Sequence, residues 1–290
     1  MKLGIIGAGK AGSSLGKYLK DAGISLVGFY DRSLEEARDS GDFVKTRAFE
    51  RKEDLIKESD LLLLSVVDGA ISQVWEEIKE LDLFGKILFH ISGSLSSQVF
   101  EGAKERGVEV ASIHPAYAFS SKRESYKGLA SCAMTLEGSE RARKVLGQLF
   151  RNLGHPVYEI QREEKVLYHG ACVFASNLIN ALLGDAFLLL AKCSFSEEEA
   201  RNLLKNLALG NMNRVFEAGL KESLTGPVER NDISTIEKHL KEISKIETEA
   251  DRKQLLRDYL ALTDSLIRIS QEKHPQENYQ NMRELLGLFS

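Results

Sequence analysis

Through the first half of the chain, short apolar runs alternate with longer segments whose apolar residues recur at helical spacing; after Ile160 the short runs stop. The runs KLGII (2–6), ISLVGFY (24–30), DLLLLSVV (60–67), GKILFHIS (85–92), EVASIHP (109–115), MTLEG (134–138) and PVYEI (156–160) read as strands. Between them, SSLGKYLKDAG places Leu15, Tyr18 and Leu19 on one side of a helix, and LEEARDSG, AISQVWEEIKEL and SERARKVLGQLFRNLG read the same way. Strands alternating with helices predict an α/β domain over 1–160, a doubly wound and mostly parallel Rossmann sheet.

Residues 163–193 contain no proline and read as one long helix, followed by a capping box on Ser196 and Glu199 and by helices at 234–245, 248–272 and 276–288. The second domain, 161–290, is therefore expected to be all-helical. Its stretch ACVFASNLINALLGDAFLLLA (171–191) is long enough to span a bilayer, but Ser176, Asn177, Asn180 and Asp185 interrupt it, so a buried core helix is expected and no membrane. On a helical wheel Lys165, His169, Cys172, Ser176 and Asn180 fall in one stripe about 80° wide, flanked by apolar residues, which suggests a cleft wall; buried helix–helix hydrogen bonds explain the same stripe.

Composition narrows the functional classes. With 43% hydrophobic and 28% charged residues and four prolines, the chain reads as folded and soluble throughout. Lys and Arg number 39 against 43 for Asp and Glu, with no basic block along any element, so nucleic acid is not an expected partner. Cys132, Cys172 and Cys193 lie in apolar surroundings without metal-ligand spacing, so no metal site is indicated and a reducing cytoplasmic setting fits.

The chemistry starts at Gly7-Ala8-Gly9-Lys10-Ala11-Gly12, between the first strand and its helix. Gly7 permits the tight turn, Gly9 lets backbone approach a pyrophosphate and Gly12 lets helix and strand pack closely, with the anion at the helix N-terminus. The second strand then ends at Asp31, where a ribose hydroxyl would be read. Asp31 favours NAD, while Arg32 and Ser33 suit the 2′-phosphate of NADP; Ser33 also opens a capping box with Glu36. The coenzyme is left as NADP or NAD. In such sheets ligands lie outside the carboxyl ends of the strands, which brings Val66, Val67, Asp68, Ser92, Gly93, Ser94 and His114 into consideration.

GIIGAGKAGSSL, SVVDGAI, HISGSLSS, SIHPAYAF, EEKVLYHGACVFASNLINALL and LTGPVERNDISTIEKHL, in that order, resemble the Rossmann-like proteins that carry a DUF2520 C-terminal domain. More distantly the chain resembles ketopantoate reductase, pyrroline-5-carboxylate reductase, prephenate dehydrogenase and the 6-phosphogluconate dehydrogenase group, whose C-terminal domain is the helical type expected here. The resemblance implies a nicotinamide oxidoreductase, homodimeric through its helical domain, acting on a small anionic keto acid, hydroxy acid or imine.

Carried over residue by residue, the interdomain helix of the 6-phosphogluconate dehydrogenase group supplies a lysine where this chain has Ser176, and an asparagine where it has Asn180. Lys165, on the same helix, lies roughly 16 Å along the axis from Ser176 and is not expected to replace that lysine. The HP-containing strand end of prephenate dehydrogenases corresponds to His114, with Ser92 or Ser94 as the accompanying serine. His114 is thus the candidate to move a proton, with a pKa suited to it, while His90, two residues inside its strand, reads as structural. Asn177 or Asn180 would orient the substrate, and Arg230 would bind a carboxylate. The missing lysine leaves a second reading open, a dinucleotide-binding sensor without chemistry.

Overall fold

The computed structural model describes residues 1–289. By its contacts the chain divides into two compact units, 1–177 and 178–290.

The first unit is built on eight strands: β1 (Leu3–Ile6), β2 (Leu26–Tyr30), β3 (Arg47–Phe49), β4 (Leu61–Leu64), β5 (Ile87–His90), β6 (Glu109–Pro115), β7 (Met134–Gly138) and β8 (Val157–Glu159). Their order in the sheet is β3-β2-β1-β4-β5-β6-β7-β8, and every neighbouring pair is parallel except β6 with β7. The mostly parallel doubly wound Rossmann sheet expected from the alternation is the one observed. Helices α1 (Lys10–Asp21), α2 (Leu34–Val44) and α5 (Glu140–Asn152) contribute to one apolar cluster, which holds Leu15, Phe29, Ile113 and Phe150; α3 (Lys52–Glu58) and α4 (Asp68–Ile78) contribute to another, around Leu62, Trp75 and Leu88. With both faces covered, central strand β4 is LLLL, apolar and buried at every position, and burial rather than alternation dictates its sequence. Trp75 is fully buried, and its indole N–H is satisfied by the carbonyl of Glu101 at 2.9 Å.

The strands end at Glu159, but the first unit continues to Asn177, because helix α6 (Lys165–Phe174) is anchored to β5 and β6 by the side chains of Lys165 and Tyr168. The long helix expected over 163–193 is in fact two, α6 and α7 (Asn177–Lys192), broken at Ala175 and Ser176. The Ser176 hydroxyl donates to the Cys172 carbonyl at 2.6 Å, competing locally with the helical ladder. The break interrupts the polar stripe: Lys165 is buried on α6, whereas Ser176 and Asn180 are exposed.

The second unit is all-helical, as expected: the body of α7 with α8 (Glu197–Ser223), α9 (Ile233–Ser244), α10 (Glu249–Lys273) and α11 (Gln280–Gly287). Ser196 and Glu199 form the reciprocal cap that the sequence announced, and Asp232 caps α9 by accepting the Thr235 N–H at 3.1 Å. Ile236, Leu240, Ile267, Tyr279 and Met282 form its core. The expectation of a buried core helix at 171–191 is corrected. Residues 162–192 include a stretch long and apolar enough to cross a bilayer, yet its most apolar window is not buried in the single chain, and Phe174 is 73% exposed. Helix α8 likewise leaves Leu203, Leu207, Phe216 and Leu220 exposed.

Candidate coenzyme and active site

The glycine turn joins β1 to α1 with little tolerance. Gly7 has φ of +106°, and a Cβ there would stand 2.3 Å from the carbonyl oxygen of Ser65; a Cβ on Gly12 would stand 2.3 Å from the Gly7 oxygen. A Cβ on Gly9 would meet nothing within 4 Å, so the space over that residue is open. Helix α1 starts there at Lys10 and Ala11 with no acidic residue in its first turn. The open space joins a cavity of about 220 Å³ lined by Gly7, Gly9, Asp31, Arg32, Lys52, Val66 and Val67. Ser65, another lining residue, has a buried hydroxyl with no hydrogen-bond partner among the described residues. This cradle, whose one open glycine faces a helix N-terminus, fits a dinucleotide: Gly9, Lys10 and Ala11 would meet the pyrophosphate, and the residues at the end of β2 would meet the adenosine ribose.

Asp31 has a role the sequence did not show. Its Oδ2 accepts the Ala8 N–H at 2.8 Å and its Oδ1 the Ser33 N–H at 3.0 Å, so the carboxylate clamps the glycine turn to the end of β2. Ser33 caps α2 through the Glu36 N–H at 3.3 Å, while Arg32 lines the cavity.

The carboxyl ends of β4, β5 and β6 carry the other polar residues. Asp68 opens α4, and its Oδ2 accepts the hydroxyls of both Ser92 (2.7 Å) and Ser94 (3.0 Å). The Ser92 oxygen in turn accepts the N–H groups of Ser94 and Leu95, which holds the loop after β5 in a tight turn. Asp68 Oδ1 has no hydrogen-bond partner among the described residues, and the side chain is exposed.

One strand further, His114 Nδ1 lies 2.7 Å from the Tyr168 hydroxyl of α6. With that hydroxyl donating, the ring keeps its proton on Nε2, the nitrogen beside Gly93. Gly93 is required for this approach, since a Cβ there would fall 2.6 Å from the His169 ring and 3.0 Å from His114 Nε2. Burial, then the neighbouring Lys165 and His169 charges, push the His114 imidazole down to about 4, with Asp68 opposing. That shift favours the uncharged form of the His114 imidazole. Burial raises the Tyr168 phenol in turn. His90 is buried and spent on structure, its Nδ1 accepting the Ser92 N–H at 3.2 Å and its Nε2 facing the Ser96 carbonyl at 3.3 Å.

Lys165 is the residue that sequence reasoning set aside and the fold brings in. It is 1% exposed, and its ammonium donates to the Ser92 carbonyl at 2.7 Å and to the Ser112 hydroxyl. Burial draws its pKa down to about 8, against the pull of Glu137 and Asp68. Its distance along the helix from Ser176 proved irrelevant, because its reach is across to β5 and β6. Tyr168 was also missed; the signal was its position three residues after Lys165, on the same side of a helix turn.

The remaining sequence candidates are exposed. Ser176 is exposed and committed to the Cys172 carbonyl and, at 3.0 Å, to the exposed Asn177 side chain. Asn180 and Arg230 belong to the second unit and are exposed there.

Fold and site together define a Rossmann-type dinucleotide cradle with a polar cluster at its strand ends, and comparison with known proteins agrees. Residues 1–115 match the Rossmann-like domain model and residues 132–266 match the domain of unknown function DUF2520, so the chain carries both domains. A search of the curated proteins finds no match. Among solved structures, a protein of Bacteroides fragilis described as a candidate NADP oxidoreductase is 25% identical, covering 92% of this chain and 98% of its own, with a TM-score of 0.73. A protein of Thermotoga maritima is 24% identical over 97% of this chain and 99% of its own, with a TM-score of 0.71. The pyrroline carboxylate reductase of Plasmodium falciparum, solved with NADP bound, shares the fold at 16% identity over 93% of this chain and 98% of its own, with a TM-score of 0.59.

Proposed function

We propose that the protein is an NAD(P)-dependent oxidoreductase that transfers a hydride between the nicotinamide and a small substrate, a keto acid, a hydroxy acid or an imine. The observation that carries the reading is that the open glycine cradle and the Asp68–Ser92–Ser94 and His114–Tyr168 groups lie along the carboxyl ends of neighbouring strands of one sheet. The Bacteroides fragilis relative, by its description, supports the coenzyme. When bound, the coenzyme supplies or takes up the hydride. The chain's own residues hold and orient: Gly9, Lys10 and Ala11 the pyrophosphate, Asp31, Arg32 and Ser33 the adenosine ribose, Val66 and Val67 the coenzyme face. His114, neutral and fixed by Tyr168, presents Nε2–H to the reacting heteroatom; Ser92 and Ser94 hold Asp68 beside it.

The same reading makes the protein a homodimer through its helices. Exposed Leu207 and Phe216 on α8 and Phe174 on α6 are apolar surface of the kind a second copy would cover. The three free cysteines suit a reducing, cytoplasmic setting. The test is NAD(P)H oxidation by the purified protein across a panel of keto acids and imines, repeated with His114→Ala. Turnover lost in the variant supports the proposal. Tight coenzyme binding with no turnover on any substrate would favour a sensor instead.

A further inference from the structure

Lys165 is a buried charge that the reductase reading, on which the following rests, leaves unused. It is 1% exposed, and its ammonium is bonded to the Ser92 carbonyl at 2.7 Å and to the Ser112 hydroxyl rather than to a carboxylate. Such a charge is costly to bury, and a methionine would fill the same space without that cost. What the charge adds is polarisation of one peptide. The Ser92–Gly93 bond is trans, so with its carbonyl on Lys165 the Gly93 N–H points the opposite way. Gly93 is buried, and its N–H has no hydrogen-bond partner among the described residues. Buried backbone donors are rarely left so.

A second donor stands beside it. With the Tyr168 hydroxyl donating to Nδ1, the His114 proton sits on Nε2, which has no partner of its own among the described residues. A Cβ on Gly93 would stand 3.0 Å from that nitrogen and about 2.5 Å from its own backbone nitrogen, which puts the two donors at most about 5.5 Å apart. One oxygen about 2.9 Å from each is compatible with that spacing. The His169 ring would be 2.6 Å from the same Cβ, so glycine is what keeps this space open. The Asp68 carboxylate opposes a negative ligand, but its Oδ2 is turned to the Ser92 and Ser94 hydroxyls.

We propose that Lys165 is a positioning residue that polarises the Ser92–Gly93 peptide, and that the Gly93 N–H and His114 Nε2–H together receive the anionic oxygen of a carbonyl substrate. As the carbonyl carbon takes the hydride, its C–H bond forms while the coenzyme's C4–H bond breaks. The C=O π pair moves onto this oxygen, and water supplies the proton that completes the alcohol. An ammonium on the carbonyl strengthens the N–H at the other end of the same peptide, and donors fixed before the charge develops need no reorganisation. Lys165 touches neither substrate nor coenzyme; its effect passes through Gly93.

Carbon-detected NMR on protein carrying ¹³C-carbonyl serine and ¹⁵N-glycine reads the peptide directly, since Ser–Gly occurs only at Ser40–Gly41 and Ser92–Gly93. The Ser92 and Gly93 resonances are expected to move with pH in the wild type, with a midpoint near 8, and not in Lys165→Met; Ser40–Gly41, inside α2, is the control. Around Lys165, His90 and His114 are held down to about 4, clear of that range. Asp68 faces it from α4 and Glu137, bonded to Ser97, from β7; His169→Gln and Asp68→Asn should each leave the titration in place.

Formate, the smallest carboxylate, probes the donor pair. Its binding to the NADP⁺-saturated protein should move the Gly93 nitrogen resonance and weaken about 10-fold in Lys165→Met, the worth of one charge-assisted hydrogen bond. The kcat for a keto acid should fall about 10-fold in the variant, and the wild-type kcat should fall through the same midpoint as pH rises. The variant's NADPH affinity should stay within about two-fold of wild type, which also reports that it folds. A Ser92–Gly93 peptide that does not titrate in the wild type, no formate-induced shift at Gly93, or formate binding unchanged in Lys165→Met would overturn the assignment and leave the reductase standing. Turnover of imines without turnover of any keto acid would overturn it too. Failure to bind either coenzyme would instead remove the reading on which it rests.

Discussion

His114 Nδ1 and the Tyr168 hydroxyl stand 2.7 Å apart, and this bond ties the end of β6 to helix α6 at the point where the sheet presents its polar residues. With the hydroxyl donating, the imidazole proton sits on Nε2, the nitrogen beside Gly93.

Tyr168→Phe removes that bond while keeping the ring. The expected result is a half-buried imidazole nitrogen without its partner, a stability loss of about 1 kcal/mol and a fall in kcat of about 10-fold, with coenzyme affinity retained. Denaturant unfolding and steady-state kinetics read the two effects; unchanged kcat would detach His114 from the chemistry.

Gly9 and Gly12 separate the cradle's structural role from its binding role. A Cβ at Gly9 meets nothing within 4 Å, whereas one at Gly12 falls 2.3 Å from the Gly7 oxygen. Gly9→Ala should therefore unfold within about 0.5 kcal/mol of wild type yet lose coenzyme affinity, because its methyl occupies the space of the pyrophosphate. Gly12→Ala should lose about 1–3 kcal/mol of stability before any ligand is added. Parallel melting and coenzyme titrations check both.

Lys165 gives a pH signature. Its folded pKa, about 8, lies below the ordinary 10.5, so between those values the unfolded chain binds more protons and stability from this group rises with pH. Below pH 8 the buried charge costs its full amount; above about 10.5 the cost is gone. Relative to Lys165→Met, the wild type should gain on the order of 2–3 kcal/mol from pH 7.5 to 10.5, since each tenfold difference in proton affinity between the folded and unfolded chain is worth about 1.4 kcal/mol. A constant difference between the two unfolding free energies across that range would contradict a buried ammonium.

The helical surface gives a prediction about assembly. Phe216, 81% exposed, and Leu207, 71% exposed, lie on α8. Sedimentation of the wild type should report a dimer at micromolar concentration, and Leu207→Lys with Phe216→Lys should shift it to monomer. A wild type that sediments as a monomer would contradict the homodimer.

The sequence carried the sheet because strands buried on both faces are written as unbroken apolar runs, and it carried the glycine cradle because each glycine answers a separate steric demand. Strand β3 left no trace: Arg47, Ala48 and Phe49 are too few to show a period. The break after α6 was hidden because neither proline nor glycine marks it, only the Ser176 hydroxyl turning back on the Cys172 carbonyl. At the candidate site, the strand-end places of His114, Ser92 and Ser94 were legible. The contacts of Lys165 and Tyr168 were not, since they depend on how α6 lies across β5 and β6. No spacing within one helix records that.

The most direct test of the central claim is fluorescence titration of the purified protein with NADPH and with NADH. Saturable binding of at least one of them, one site per chain and abolished or greatly weakened in Gly9→Ala, is the predicted result. No binding of either coenzyme by a folded protein would contradict the oxidoreductase account at its foundation.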